Sequence, residues 1–85
     1  MIEADGIITT KIAREALHFF NADEGVDPGS FFTKFYELAS HADNDNLARL
    51  SHGFPAEIAA LVMGRQDNGL TTLRLIASQP MTVNS

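Results

Sequence analysis

Helix-capping and turn residues divide this chain into short segments, and that division constrains the fold more than any other feature of the sequence. Thr9 or Thr10 can cap a first helix that runs to about Asn21, with apolar side chains at helical spacing. Asp27-Pro28-Gly29-Ser30 predicts the start of a second helix, because aspartate caps helices well and proline suits the first helical position, with Ser30 as a second candidate cap. Phe54-Pro55 marks a later helix start, with Phe54 as a hydrophobic staple.

Two short helices are predicted in the middle of the chain. The polar turn at 43–46 precedes a short helix predicted over 47–51, and a helix predicted over 56–63 ends at Gly64. The second helix is amphipathic, with a wide apolar stripe. The side chains of this stripe that are predicted to face the core are Phe31, Phe35, Leu38 and Ala42.

The segment 70–78 fits two patterns. Leu70, Leu73 and Ala77 recur as they would on one face of a helix, whereas Leu73, Leu75 and Ala77 alternate as they would in a strand. A lone strand would have no partner elsewhere in the sequence, so we predict a helix here.

These segments together predict an all-α fold, a compact bundle of four to five short helices in a single domain over residues 9–78. Residues 1–8 are predicted to be a lead-in whose Ile7 and Ile8 can pack against the first helix, and residues 79–85 a flexible tail.

The composition limits the classes of protein to which the chain can belong. Its 85 residues suit one domain, and the absence of cysteine excludes disulfides and thiolate metal sites. The N-terminus is acidic, which is the wrong charge for a secretory or transit peptide. The longest apolar run, Ile58–Met63, is far shorter than the roughly 18 residues that a membrane span needs. We therefore expect a cytoplasmic protein that does not enter a membrane.

The sequence predicts no catalytic residue, no cofactor and no metal site. The densest group of possible ligands, His41–Asn46, lacks the glycine and glutamate that a calcium loop of the EF-hand type requires. The three histidines show no metal-binding spacing, the serines lie in no nucleophile elbow, and the glycines form no phosphate loop. A helix-capping role explains these polar residues better, so we expect a protein that is not an enzyme.

A nucleic-acid-associated protein of the helix-turn-helix type is the alternative function. Two short helices around Gly53 match the outline of that motif. Positions 56–60 of the second helix offer no Arg, Lys, Asn or Gln to read bases before Arg65 and Gln66, and Glu57 would repel phosphate. Six Lys or Arg against eleven Asp or Glu also give a net charge of −5, which disfavours nucleic acid.

Aromatic side chains cover more than half of the circumference of the second helix. They can simply fill the core, or those left outside so small a core can form a patch for a protein partner or a second copy of the chain. The candidate partner-binding residues are Phe31, Phe32, Phe35 and Tyr36.

Three runs, Asp23–Phe32, Asn46–Leu50 and Gly53–Glu57, resemble small uncharacterised helical proteins of actinobacterial phages over roughly residues 8 to 75. The resemblance implies an accessory protein that acts in the host cytoplasm, and it carries no catalytic or binding residues. The sequence thus predicts a small non-enzymatic helical module that binds a host or phage protein, with a homodimer possible.

Overall fold

Five short α-helices make up the part of the chain that the structure, a computed structural model, describes, which is residues 7–79. No strand occurs in that range, and the predicted all-α bundle is confirmed. The lead-in and tail lie mostly outside the described residues, although Ile8 packs against the core while the side chain of Ile7 is 69% exposed. The helices are α1 (Thr10–Phe20), α2 (Ser30–Ser40), α3 (Asn44–Gly53), α4 (Pro55–Arg65) and α5 (Gly69–Ala77).

Local capping chemistry starts three of the helices. The Thr9 hydroxyl accepts a hydrogen bond from the Ile12 amide at 3.1 Å, and Pro55 is the first residue of α4. The Asp43 carboxylate accepts from the Asn46 amide at 2.9 Å. Because Asp43 is the cap, α3 begins at Asn44 and is longer than the helix predicted over 47–51.

The predicted start of α2 at Pro28 is wrong. The Asp27 carboxylate accepts a hydrogen bond from the Gly29 amide at 2.8 Å, which closes a turn two residues long around Pro28 instead of capping a helix. Gly29 then occupies the N-cap position with a φ of 91°, a conformation outside the helical region. The helix therefore begins at Ser30, which is its first residue and not its cap.

The predicted helix break at Gly64 is also wrong, because α4 continues through it to Arg65. A side chain at Gly64 would place its Cβ 2.2 Å from the ring of Phe20 on α1. Glycine here lets an aromatic ring approach the α4 backbone closely, and it does not end the helix.

The segment from Gly69 to Ala77 is a helix, as predicted. Leu73 and Ala77 are buried, whereas Leu75 between them is 62% exposed. This is the burial pattern of a helix with one face toward the core, and it excludes the alternating pattern of a strand.

The core lies mainly between α1, α4 and α5, which pack against one another most extensively. α2 adds Tyr36 and Ala39 to it, both fully buried. α3 has no buried residue, and its Leu47 and Leu50 are only partly covered. The α2 and α3 side of the molecule is therefore the less tightly packed side.

Arginine side chains tie the ends of the helices together. The Arg14 Nε on α1 donates to the carbonyl of Ala77 at 2.9 Å, and an Arg65 amino group donates to the carbonyl of Ser40 at 2.7 Å. Each guanidinium group thus meets carbonyls at the C-terminal end of another helix, where positive charge is favourable. A third arginine, Arg74, makes a two-bond ion pair with Glu24 at 2.8 and 2.9 Å and joins the loop after α1 to α5.

Glu24→Gln is expected to destabilise the fold at neutral pH and to have no effect in acid. The hydrogen bond from Arg74, with its charge, holds the pKa of Glu24 below its ordinary value of 4.5. Since the pKa of Glu24 is lower in the folded state, the stabilisation is fully present above the ordinary value of 4.5. It is lost as the pH falls through the lower folded-state pKa. The effect should be modest and weakened by salt, because both side chains are partly exposed.

Urea unfolding of the wild type and of Glu24→Gln at neutral pH and at a series of acidic pH values measures this difference. A difference in the free energy of unfolding that is the same at every pH would show that the charge of Glu24 does not stabilise the loop.

Candidate protein-docking surface

The structure divides the four candidate partner-binding residues between the core and the surface. Tyr36 is fully buried and Phe35 is 7% exposed, so neither side chain is accessible to a partner in this fold. Phe32 is half-buried, whereas Phe31 is 64% exposed. Only Phe31 and the accessible part of Phe32 remain as candidates from the original set.

Phe31 belongs to a cluster of aromatic rings that contact one another. Its ring meets that of Phe32 edge-on with centroids 5.0 Å apart. Phe54 is the residue between α3 and α4 in the chain. Its ring approaches the rings of Phe35, Phe32 and Phe31, with centroids 4.7, 5.8 and 6.3 Å away. These separations are typical of stabilising aromatic pairs. The cluster therefore holds the exposed ring of Phe31 in position.

Phe54 has a different role from the predicted hydrophobic staple. A staple residue precedes the N-cap, whereas Phe54 is itself the N-cap of α4. Its ring packs on α2, which its position in the sequence next to Pro55 does not indicate. No local signal could have revealed this contact, because the partners lie about twenty residues earlier in the chain.

Leu38 extends the exposed apolar face along α2. Residues 31 and 38 are seven positions apart and so lie on one side of the helix, about 10 Å apart along its axis. Leu38 is 61% exposed, and its predicted place in the core is therefore wrong, as is that of Phe31. The physical reason is that α3 covers only part of the apolar stripe of α2 and leaves the rest exposed.

A groove of about 420 Å³ continues this face between α2 and α3. Its wall on the α2 side consists of Leu38 together with His41 and Ala42, the two residues that follow the end of the helix at Ser40. We call the exposed side of the two helices the α2–α3 surface. It consists of Phe31, Lys34, Leu38, His41, Arg49 and Leu50.

A second groove of about 410 Å³ lies beside the loop after α1. Its charged side chains already bind groups within the chain, since Arg74 pairs with Glu24 and Arg14 donates to Ala77. The α2–α3 surface is the better candidate for docking because its side chains are not used in this way.

The buried hydroxyl of Tyr36 is a further polar feature of this region. The side chain is stacked on Phe19 with centroids 5.7 Å apart, and the hydroxyl oxygen has no hydrogen-bond partner among residues 7–79. Burial, together with the negative charges of Glu57 and Glu15, raises the pKa of this hydroxyl above its ordinary value. The group stays protonated, and its lack of a partner reduces the stability of the fold.

Among residues 7–79, no three His, Asp or Glu side chains come close enough together to hold a metal ion. The ring of His18 contacts the carbonyl of Glu24 at 3.1 Å, and Asp43 in the ligand-rich turn caps α3. Both groups thus have a structural role.

The helix-turn-helix candidate corresponds to α3 and α4, which only Phe54 separates. Arg65, the first basic residue of the would-be reading helix, lies at its C-terminal end and binds the Ser40 carbonyl at 2.7 Å. In addition, none of the helices within the described range has both the length and the apolar character needed to cross a bilayer.

Compared with protein-family models, curated proteins and solved structures, the chain matches none of them.

Proposed function

We propose that this chain is a non-enzymatic interaction module that binds a protein partner through the α2–α3 surface. The observation that carries the proposal is the exposure of Phe31 and Leu38, at 64% and 61%, on one face of α2 next to an apolar groove. Single exposed apolar residues are common, but an aligned pair beside a groove is typical of a docking site. Covering one such side chain contributes roughly 1.5–3 kcal/mol to binding.

The support beneath Phe31 favours binding for a second reason. Its ring contacts Phe32 and Phe54, and these contacts restrict the side chain before a partner covers it. Binding then costs less conformational entropy than it would at an unsupported side chain.

On the resemblance to phage proteins, we further propose that the chain is a phage accessory protein that acts in the host cytoplasm on a host or phage protein. A second copy of the chain is the alternative occupant of the same surface. We do not propose nucleic acid as the partner, because Arg65 is bound to the Ser40 carbonyl and the net charge is −5.

Leu38→Ser is expected to abolish capture of the partner, whereas Leu75→Ser should leave it unchanged. The two leucines are matched, since both lie on helices and are 61% and 62% exposed, but Leu75 is on α5 away from the proposed surface. Immobilised wild type and the two variants would be incubated with lysate of the producing cell, and the retained proteins compared by mass spectrometry.

The unfolding midpoints of all three proteins provide the control for folding. If Leu38→Ser is folded and retains the same proteins as the wild type, the α2–α3 surface is not the docking site. If Leu75→Ser alone loses the partner, the binding face lies on α5.

A further inference from the structure

The basic side chains of this acidic chain are used unevenly by the fold. Of the six, Lys11 pairs with Glu15, Arg74 pairs with Glu24, and Arg14 and Arg65 bind carbonyl oxygens at helix ends. Within residues 7–79, Lys34 and Arg49 are the two Lys or Arg residues whose side chains make no hydrogen bond or ion pair. Both lie on the α2–α3 surface.

One of these cations lies within the apolar face and the other beside it. Lys34 is one turn after Phe31 and one turn before Leu38, on the same side of α2. Arg49 lines the groove from α3, and both cations are exposed. The surface therefore combines apolar side chains with two unpaired positive charges, although the whole chain carries a net charge of −5.

The spacing of the apolar groups suits a helix as the occupant. Phe31 and Leu38 repeat every two turns, so a helix laid along α2 can place its own apolar residues against both at the i and i+7 positions. The groove between α2 and α3 would receive a third apolar side chain.

We propose, resting on the function proposed above, that the partner presents an acidic amphipathic helix whose apolar stripe covers Phe31 and Leu38 and whose carboxylates pair with Lys34 and Arg49. Charge complementarity fixes the orientation and speeds association. Carboxylates of the chain itself, Glu37 and Asp45, lie on the same two helices, and repulsion from them selects partners whose acidic groups fall at the two cations.

Selection from a random library of displayed peptides tests this partner chemistry directly. Peptides of about 16 residues are long enough for four helical turns. The library would be selected on the wild-type chain and counter-selected on Leu38→Ser, so that only peptides that need the α2–α3 surface are kept. We expect the kept peptides to be acidic, with apolar residues at helical spacing.

Two double variants of equal charge then test the cations. The first double variant combines Lys34→Gln with Arg49→Gln, and the second combines Thr71→Glu with Gln79→Glu. Each makes the chain more negative by the same amount. The second pair is on or just after α5, which does not pack against α2 or α3. We expect the first pair to weaken binding of a kept peptide at least tenfold, and the second to change it by less than about threefold, since distant charges are screened.

Any other outcome of the peptide selection or of the binding measurements would contradict a specific part of this proposal. Kept peptides that are neutral or basic overturn the acidic helix but leave the docking surface in place. If no peptide requires Leu38, the proposed function fails as well. Equal weakening by both double variants rules out Lys34 and Arg49 as the specific contacts. A wild-type dimer that Leu38→Ser dissociates would show that a second copy, and not an acidic helix, occupies the surface.

Discussion

Gly69→Ala is expected to lower the free energy of unfolding by about 3 kcal/mol, at the upper end of the range for overpacked sites. Gly69 is buried at the start of α5. A Cβ there would lie 1.6 Å from the carbonyl oxygen of Met63 and 2.7 Å from its carbon. These are backbone atoms of α4, so the clash can be relieved only by moving α4 and α5 apart, and they are two of the three helices that form the core.

Gly53→Ala is the matched control for this substitution. Gly53 is also helical, but a Cβ at this position would meet nothing within 4 Å. Alanine there should raise the free energy of unfolding by up to about 1 kcal/mol, because it favours the helix more than glycine does. Urea unfolding curves of both variants measure the contrast, and a Gly69→Ala chain as stable as the wild type would contradict the close contact between α4 and α5.

Tyr36→Ala is expected to lower the free energy of unfolding by about 3–5 kcal/mol, the range for truncating a large buried aromatic side chain. A chain of this size has a total stability on the order of 4–13 kcal/mol, so this variant would be partly unfolded or close to it. The reason is that Tyr36 is fully buried and its ring contacts Phe19, Phe32 and Phe35.

Tyr36→Phe should have the opposite sign and raise the free energy of unfolding by about 1 kcal/mol, because it removes a buried hydroxyl that has no partner in the described part of the chain. The raised pKa adds a second readout. The folded-state pKa lies above the ordinary value of 10.0, so the wild type should lose stability as the pH rises past that value, and Tyr36→Phe should not show this loss.

Thermal and urea unfolding at neutral and alkaline pH distinguish these expectations. A Tyr36→Phe chain less stable than the wild type at neutral pH would mean that the hydroxyl has a partner. The same data decide which variants can be used in binding studies. A loss of binding in Tyr36→Ala would report unfolding, whereas exposed Leu38 can be changed with little effect on the core.

The all-α class and the starts of α1 and α4 could be predicted from the sequence because they depend on neighbouring residues. Thr9 caps α1 through an amide three positions away, and Pro55 occupies the first turn of α4 through its own ring. The errors arose where one residue type serves two purposes. The Asp27 carboxylate can cap a helix or close a turn. Here it closes a turn by accepting from the Gly29 amide, and Gly29 has a positive φ.

The candidate surface was only partly predictable for a different reason. The apolar stripe of α2 is wider than the area that its neighbours cover, so periodicity alone identifies the helix but not which edge of the stripe faces water. Phe31 and Phe35 are one turn apart on that stripe, yet one is 64% exposed and the other 7%. The ring of Phe54, which arrives from a distant part of the chain, covers the second more closely than the first.

The sequence by itself determined the all-α class, a count of four to five helices and the acidic charge, since these follow from composition, spacing and local hydrogen bonds. Only the tertiary structure decided which aromatic rings are buried and which cations remain unpaired. Four basic residues bind carboxylates or carbonyls, three of them across long sequence separations, and this leaves Lys34 and Arg49 beside Leu38. Such contacts depend on how the helices pack, and no local pattern in the chain specifies that packing.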